Sequence, residues 1–460
     1  LGRKQRDSRK EFFETVEVRP RAILIGVQTR GQERPEVEEH LDEMAQLATT
    51  DGMDVVGRVI QGRARPDPAT FLGSGKVEEV MVLAEEQKAD WLLFDDELTP
   101  GQQRNLEKQA KVKVMDRTGL ILDIFAMRAR TREARTQVEL AQHEYMLPRL
   151  TGLWTHFTRQ KGGTRTRGGE GESQLEIDRR IVKARIAALK RELGRIGRQA
   201  ETRLRGHDGF FRVALVGYTN AGKSSLLNAL TRAGVIAEDK LFATLDATTR
   251  RWSLATGRDA LLTDTVGFIR KLPHQLVASF RSTLAEAAEA DLLLHVVDLS
   301  HPAWAEHMAE TRSVLTEIGA GDRPEIVVFN KVDRPEAQTR LEQAQEDEPG
   351  CVPVSAASGE GLKDLRAVVE AQVAGPPREG VVHLAAQDRG RLSEIYRRVR
   401  VVKVEDDPDG GLQVTVHGPP GELVALGVAV SPLDEAPEAF QAAAYREHLP
   451  DSDIPGSSAP

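Results

Sequence analysis

Eight residues, Gly217-Tyr218-Thr219-Asn220-Ala221-Gly222-Lys223-Ser224, narrow the possible folds of this chain more than any other stretch. They satisfy G-x-x-x-x-G-K-[ST], a phosphate loop that works only between a strand and a helix. Both flanks comply. Arg212 to Val216 is a short apolar run with β character, and Ser225 to Leu230 reads as helix. Glycines let backbone wrap against a polyphosphate, and unpaired N–H groups at a helix start point toward it. Lys223 adds a charge for the β- and γ-phosphates, and the Ser224 hydroxyl suits Mg²⁺. The alternative, a chance glycine-lysine turn, has the flanking elements against it.

Further strands follow at Leu261 to Asp264, Leu292 to Asp298, Ile326 to Asn330 and Val352 to Ser355, so residues 208–375 read as a doubly wound α/β domain with functional loops at strand ends. Asp264-Thr265-Val266-Gly267 closes one strand; its Asp can hold Mg²⁺ through water and the Gly267 N–H can sense a γ-phosphate. Asn330-Lys331-Val332-Asp333 closes another. The Asp333 carboxylate can accept from guanine N1–H and the 2-amino group, a donor pair adenine lacks, so guanine is selected. Ser355-Ala356-Ala357 can offer backbone N–H to guanine O6. Read singly, Asn330-Lys331 could be a plain turn and Ser355-Ala356 a helix cap. Phe242-Ala243-Thr244-Leu245-Asp246 lies where a first switch belongs; Thr244 is the candidate second Mg²⁺ ligand, with Thr248 and Thr249 as rivals. Phe268 stands where many GTPases use glutamine to orient water. It cannot hydrogen-bond there, so no general base is assigned and slow unassisted turnover, at or below about 10⁻² s⁻¹, is expected.

Outside this domain, the 460-residue length leaves room for about three or four domains, and 40% hydrophobic content supports real cores. The net charge of −8 argues against a general polyanion binder, so any nucleic-acid contact must be local. One cysteine, Cys351, in an expected strand, fits a reducing compartment; with no signal core and no apolar run of about 18 residues, a cytoplasmic protein without membrane insertion is expected. Residues 1–20 form a charged arm. Residues 21–118 alternate strands (Ala22 to Val27, Val55 to Ile60, Trp91 to Phe94, Val112 to Met115) with helices (Val37 to Ala48, Val77 to Gln87, Pro100 to Ala110), which predicts a small parallel α/β domain. Gly73-Ser74-Gly75-Lys76 resembles a second phosphate loop, but it lacks the upstream glycine and the hydroxyl, and a turn is the better reading. Residues 119–207 read as an antiparallel helical hairpin around a connector, Thr151 to Ser173, rich in glycine and arginine. Arg159, Lys161, Arg165 and Arg167 are candidate RNA contacts, with Trp154, His156 and Phe157 able to stack; a solvated charged hairpin is the competing reading. Pro376-Pro377 marks a linker, residues 376–433 predict a small α+β domain, and residues 434–460 a disordered tail.

Together, the five nucleotide motifs, Leu72 to Glu79, Asp116-Arg117-Thr118, Gln137 to Gln142 and Gln174-Leu175-Glu176 with Asp178-Arg179-Arg180 resemble the HflX GTPases, relatives of Era and Obg, over most of residues 20–430. The resemblance implies a Mg²⁺-dependent GTPase that binds GTP and GDP, associates with the large ribosomal subunit and its rRNA, and splits stalled or idle ribosomes under stress, as a monomer off the ribosome. It also implies that the hairpin connector reaches toward the peptidyl-transferase region; here the connector is one residue longer than the family's and lacks its proline. Asn220 sits where some Era-related GTPases use asparagine to hold K⁺ against the phosphates, and that resemblance implies K⁺ as an additional cation. The alternatives are a GTP switch in signalling or assembly without splitting activity, and an ATP-driven RNA remodeller using the N-terminal domain.

Overall fold

The computed structural model describes residues 19–150, 174–204, 210–231, 241–242, 244–245, 247–254, 259–271, 286–374, 378–407 and 409–418, with 423 and 426. The connector, with Arg159, Lys161, Arg165 and Arg167, lies outside the described residues, as do Ala243 and Asp246, the Pro376-Pro377 linker, the arm before residue 19 and the tail. The chain divides into two compact units.

The first unit holds a four-stranded sheet of order β2-β1-β3-β4, from β1 (Arg21–Gln28), β2 (Asp54–Gly62), β3 (Trp91–Phe94) and β4 (Lys113–Asp116). All its pairings are parallel. Helices α1 (Arg34–Thr50), α2 (Ser74–Glu86) and α3 (Pro100–Ala110) alternate with the strands. Helix α3 begins as its residues dictate: Thr99 Oγ1 accepts from the Gln102 N–H at 3.3 Å, Gln102 Oε1 accepts from the Thr99 N–H at 2.9 Å, and Pro100 opens the first turn. Ile23, Ile25, Val27, Leu92, Phe94 and Val114 form the sheet's contribution to the core, where Phe71 meets Phe94 edge-on at 6.0 Å. Beyond β4 the unit is helical, through α4 (Arg117–Arg128), α5 (Arg132–Met146) and α6 (Gln174–Leu204), of which the residues up to Ile196 belong to this unit. Val138, Ala141 and Tyr145 are buried on α5, and Arg185 bridges to Glu139 at 2.7 Å and Arg132 to Glu192 at 2.7 Å.

Gly73 to Lys76 is a helix start. The Gly73 N–H donates to Gln61 Oε1 at 3.0 Å, a Cβ there would lie 2.3 Å from an Arg63 guanidinium nitrogen, and Lys76 pairs with Glu79. The stretch is therefore the N-cap and first turn of α2 rather than a separate turn, and its groups are taken up by Gln61 and Glu79.

The second unit holds a six-stranded sheet of order β10-β9-β8-β5-β7-β6. Its strands are β5 (Phe211–Val216), β6 (Thr248–Ser253), β7 (Asp259–Asp264), β8 (Leu292–Asp298), β9 (Glu325–Asn330) and β10 (Val352–Pro353). Helix α7 (Lys223–Thr231) follows β5 and α8 (Trp304–Glu317) follows β8. Five strands are parallel, but β6 runs antiparallel to β7, so the doubly wound sheet is mixed. Strand β6 reads Thr-Thr-Arg-Arg-Trp-Ser and buries only Trp252 among its six residues. An edge strand with one apolar anchor carries no alternation to detect. Cys351 stands just ahead of β10 and not within it. The chain leaves β5 toward β7 on one side and β8 on the other, which puts the end of β5 at the switch point of the sheet.

A separate antiparallel sheet, β11-β13-β12, is built from β11 (Arg378–Leu384), β12 (Arg400–Asp406) and β13 (Leu412–Gly418), with a helix at Leu392–Arg398. Val382, Leu384, Ile395, Val414 and Val416 form its own core. Among the described residues no helix is long and apolar enough to cross a membrane.

Candidate nucleotide site

The loop Gly217 to Ser224 leaves β5 and enters α7. Its glycines are required by space. A Cβ on Gly217 would lie 2.2 Å from the Val296 carbonyl oxygen, and one on Gly222 would lie 2.2 Å from Asn330 Nδ2. Asn220 takes a left-handed backbone with φ of 60°, a region asparagine tolerates better than most side chains. The Lys223 ammonium is buried and donates to the carbonyls of Gly217 and Tyr218, each at 2.9 Å. Burial pushes its pKa down to about 8, opposed by the charge of Asp264. A buried ammonium held by carbonyls alone, at the mouth of a helix, is a seat for an anion.

Ser224, Thr244 and Asp264 converge. Ser224 Oγ lies 2.7 Å from Thr244 Oγ1 and donates to Asp264 Oδ2 at 2.6 Å. Asp264 is fully buried, and its Oδ1 has no hydrogen-bond partner. Burial pushes this carboxyl's pKa up, countered by the Lys223 charge and by hydrogen bonds from Ser224 and Thr244. An all-oxygen donor set with an orphaned buried carboxylate oxygen fits a hard divalent cation such as Mg²⁺. Of the rival threonines, Thr249 turns its Oγ1 to Thr263 Oγ1 at 3.0 Å, and Thr248 stands opposite Asp264 in the β6–β7 ladder.

The base-recognition residues also gather. Asn330 donates through Nδ2 to the Ala221 carbonyl at 2.8 Å and accepts through Oδ1 from the Ala356 N–H at 3.1 Å, tying the phosphate loop to the Ser355-Ala356 turn. Lys331 has φ of 65° and pairs with Asp298 at 2.7 Å. Asp333 follows, exposed. Ser355 is an exception to the expected donor role: its N–H donates to the Glu360 carbonyl at 3.0 Å and its Oγ accepts from Ser358 N–H at 3.0 Å. It shapes the turn, and the Ala356 N–H is likewise engaged, by Asn330 Oδ1.

Several residues expected at the nucleotide instead put their side chains into packing. Leu245, Val266 and Val332 are buried apolar groups. Thr265 Oγ1 donates to the Leu215 carbonyl at 2.7 Å, holding β7 to β5. Phe242 belongs to the first unit, where its ring meets Phe125 edge-on at 4.6 Å. The sequence reading missed Asp298. It closes β8 as Asp264 closes β7, and an acidic residue at a third strand end was the available signal.

A phosphate loop at a sheet switch point, an oxygen cage beside it and an Asn-Lys-x-Asp turn against a Ser-Ala turn define a P-loop GTPase. Comparison with known proteins takes this further. Residues 38–126 match the family described as GTP-binding GTPase N-terminal, 128–206 the GTP-binding GTPase middle region, 212–331 the 50S ribosome-binding GTPase, and 340–425 the HflX C-terminal domain. A GTPase HflX of Flavobacterium psychrophilum is 52% identical over 313 residues, covering 68% of this chain and 75% of that protein. One of Magnetococcus marinus is 46% identical over 402 residues, covering 86% and 92%. One of Escherichia coli is 41% identical over 387 residues, covering 83% and 90%. The chain belongs to the HflX family of GTPases.

Proposed function

We propose that this protein binds GTP with Mg²⁺, hydrolyses it slowly on its own, and uses the nucleotide state to bind the large ribosomal subunit and dissociate stalled or idle ribosomes under stress. Ser224 and Thr244 ligate the Mg²⁺, Asp264 holds it directly or through water, Lys223 and the loop amides take the phosphates, and Asp333, with Ala357 beyond the Ser355-Ala356 turn, reads guanine. The metal supplies charge for the β- and γ-phosphate oxygens. The observation that carries the nucleotide reading is the convergence of Ser224, Thr244 and the half-satisfied Asp264 carboxylate. The ribosomal reading is supported by the match of residues 212–331 to a family described by 50S binding. Arg159, Lys161, Arg165 and Arg167 of the connector are the proposed rRNA contacts. K⁺ beside Asn220 is the proposed second cation. The protein works in the cytoplasm, as a monomer when off the ribosome.

Co-sedimentation with purified large subunits tests the reading. The GTP-analogue form pellets with 50S and the GDP form does not; equal pelleting in both states overturns the switch, and hydrolysis that large subunits fail to stimulate overturns the ribosomal partner.

A further inference from the structure

Phe268 cannot hydrogen-bond to water through its side chain, so the segment after Asp264 must act through the placement of its backbone. The structure shows what holds it. The Phe268 N–H donates to the Gly217 carbonyl at 3.1 Å and the Thr219 N–H donates to the Phe268 carbonyl at 2.7 Å, making a short parallel bridge between phosphate loop and switch. A Cβ on Gly267 would lie 2.8 Å from Thr219 Cα and 3.0 Å from Lys223 Nζ, so this glycine already stands over the phosphate-binding lysine. A third tie is made by a side chain. The Arg270 N–H donates to Tyr218 Oη at 2.7 Å.

Helix α8 holds both partners of that third tie. The Tyr218 ring stacks on His307 at 3.8 Å and 5°. One residue earlier, Glu306 pairs with the Arg270 guanidinium at 3.2 Å. Burial, with the charges of His301 and Arg270, pushes the His307 imidazole down to about 3, so the stacking partner stays neutral at physiological pH. Tyr218 and Arg270 are both buried. A tyrosine at the second position of a phosphate loop is not needed for phosphate contact, which that loop makes through backbone.

We propose that Tyr218 is a positioning residue for GTP hydrolysis: its hydroxyl pins the backbone at Arg270 and so sets where the Gly267 N–H stands against the γ-phosphate. The inference rests on the GTPase reading above and adds to it a determinant that the nucleotide motifs do not contain. A diphosphate has no group for Gly267 to meet, so the tie bears on triphosphate binding and turnover and leaves diphosphate binding alone.

Tyr218→Phe is the test, in the full chain with Mg²⁺. It keeps the ring on His307 and removes only the acceptor oxygen. Single-turnover hydrolysis is expected to fall about tenfold, the scale on which losing one hydrogen bond loosens the switch backbone beside the γ-phosphate. Affinity for a non-hydrolysable GTP analogue weakens, while GDP affinity is unchanged. Glu306→Gln, at Arg270's other anchor, shows the same split at smaller size. Equal losses for GDP and analogue mark a merely structural tyrosine and overturn the proposal, as does wild-type turnover in both variants. Wild-type protein that hydrolyses no GTP overturns the functional reading itself, a separate result.

Discussion

The parallel N-terminal sheet and the mixed sheet of the second unit both put charged groups at the carboxyl ends of their parallel strands, and use them differently. In the N-terminal sheet the charges cancel. Asp116, fully buried at the end of β4, accepts from Gly119 N–H at 2.9 Å, Tyr145 Oη at 2.8 Å, Leu98 N–H at 3.1 Å and Arg149 at 3.0 Å. Arg149 stacks on Tyr145 at 3.7 Å and also donates to Gln103 at 3.1 Å. Asp95, at the end of β3, meets Arg117 at 2.7 Å, and Arg117 also pairs with Glu43. In the second sheet Asp298, at the end of β8, is matched by Lys331, but around the end of β5 the groups remain in deficit: a buried lysine on carbonyls and a buried carboxylate with one unpartnered oxygen. The same fold position is a structural clasp in one case and the proposed ligand seat in the other. What separates them is whether the protein itself supplies the counter-charges.

The largest expected effect strikes the clasp. Asp116→Ala leaves the Arg149 guanidinium buried beside lost acceptors and is expected to cost about 3–5 kcal/mol of N-terminal unit stability. Urea unfolding of that unit measures it, and GTP affinity stays at the wild-type value if the two strand-end clusters are independent. Asp333→Ala strikes the seat. It is expected to weaken GTP binding about a hundredfold or more through two charge-assisted hydrogen bonds, and to erase the preference over ATP. Calorimetric titration with both nucleotides reads this, and an intact preference would break the guanine assignment. Thr244→Ala is next: the Mg²⁺ concentration needed for analogue binding rises about tenfold, whereas Thr249→Ala leaves it unchanged.

The smallest effect probes charge left over in the N-terminal unit. Burial and the nearby Asp123 push the Asp51 carboxyl up to about 7, and burial raises Asp123 to about 6. A folded-state pKa above the unfolded value means the native protein keeps a proton that the unfolded chain has lost between about pH 4 and 7. That contribution is present below pH 4 and is lost as the pH rises toward 7. Asp51→Asn removes the dependence, so its thermal stability gains on wild type between pH 5 and pH 8, by about 1 kcal/mol once solvent screening of the partly exposed carboxyl is allowed for. An unchanged difference across that range would show that Asp51 titrates normally.

How much of this was legible follows from how local each feature is. Strand β8 spans the expected Leu292–Asp298, and α3 the expected Pro100–Ala110, because an uninterrupted apolar run and a Thr-Pro start announce themselves. Strand β6 did not, since its pairing partner β7 supplies the hydrogen bonds and only Trp252 turns inward. In the site, the phosphate loop was readable as a spacing of glycines and lysine. The choice among Thr244, Thr248 and Thr249 was not readable, because it depends on which hydroxyl the fold brings to Ser224, 20 residues away in the chain. Phe242 sat inside a motif by position and went into the first unit's packing by shape.

The residues alone determined the kind of chemistry: glycines that admit a polyphosphate, a lysine to meet it, a carboxylate that suits guanine, and their order along alternating strands and helices. Tertiary structure decided which of those groups keep unmet charge and which are neutralised by neighbours distant in sequence. Asp298 is matched to Lys331 and Tyr218 to Arg270 across 33 and 52 positions. Spacing rules capture contacts made within a turn or a strand end. Pairings of this length exist only once the sheet order has been set, so burial and partner, the two quantities that make a polar group inert or available, come from the assembled fold.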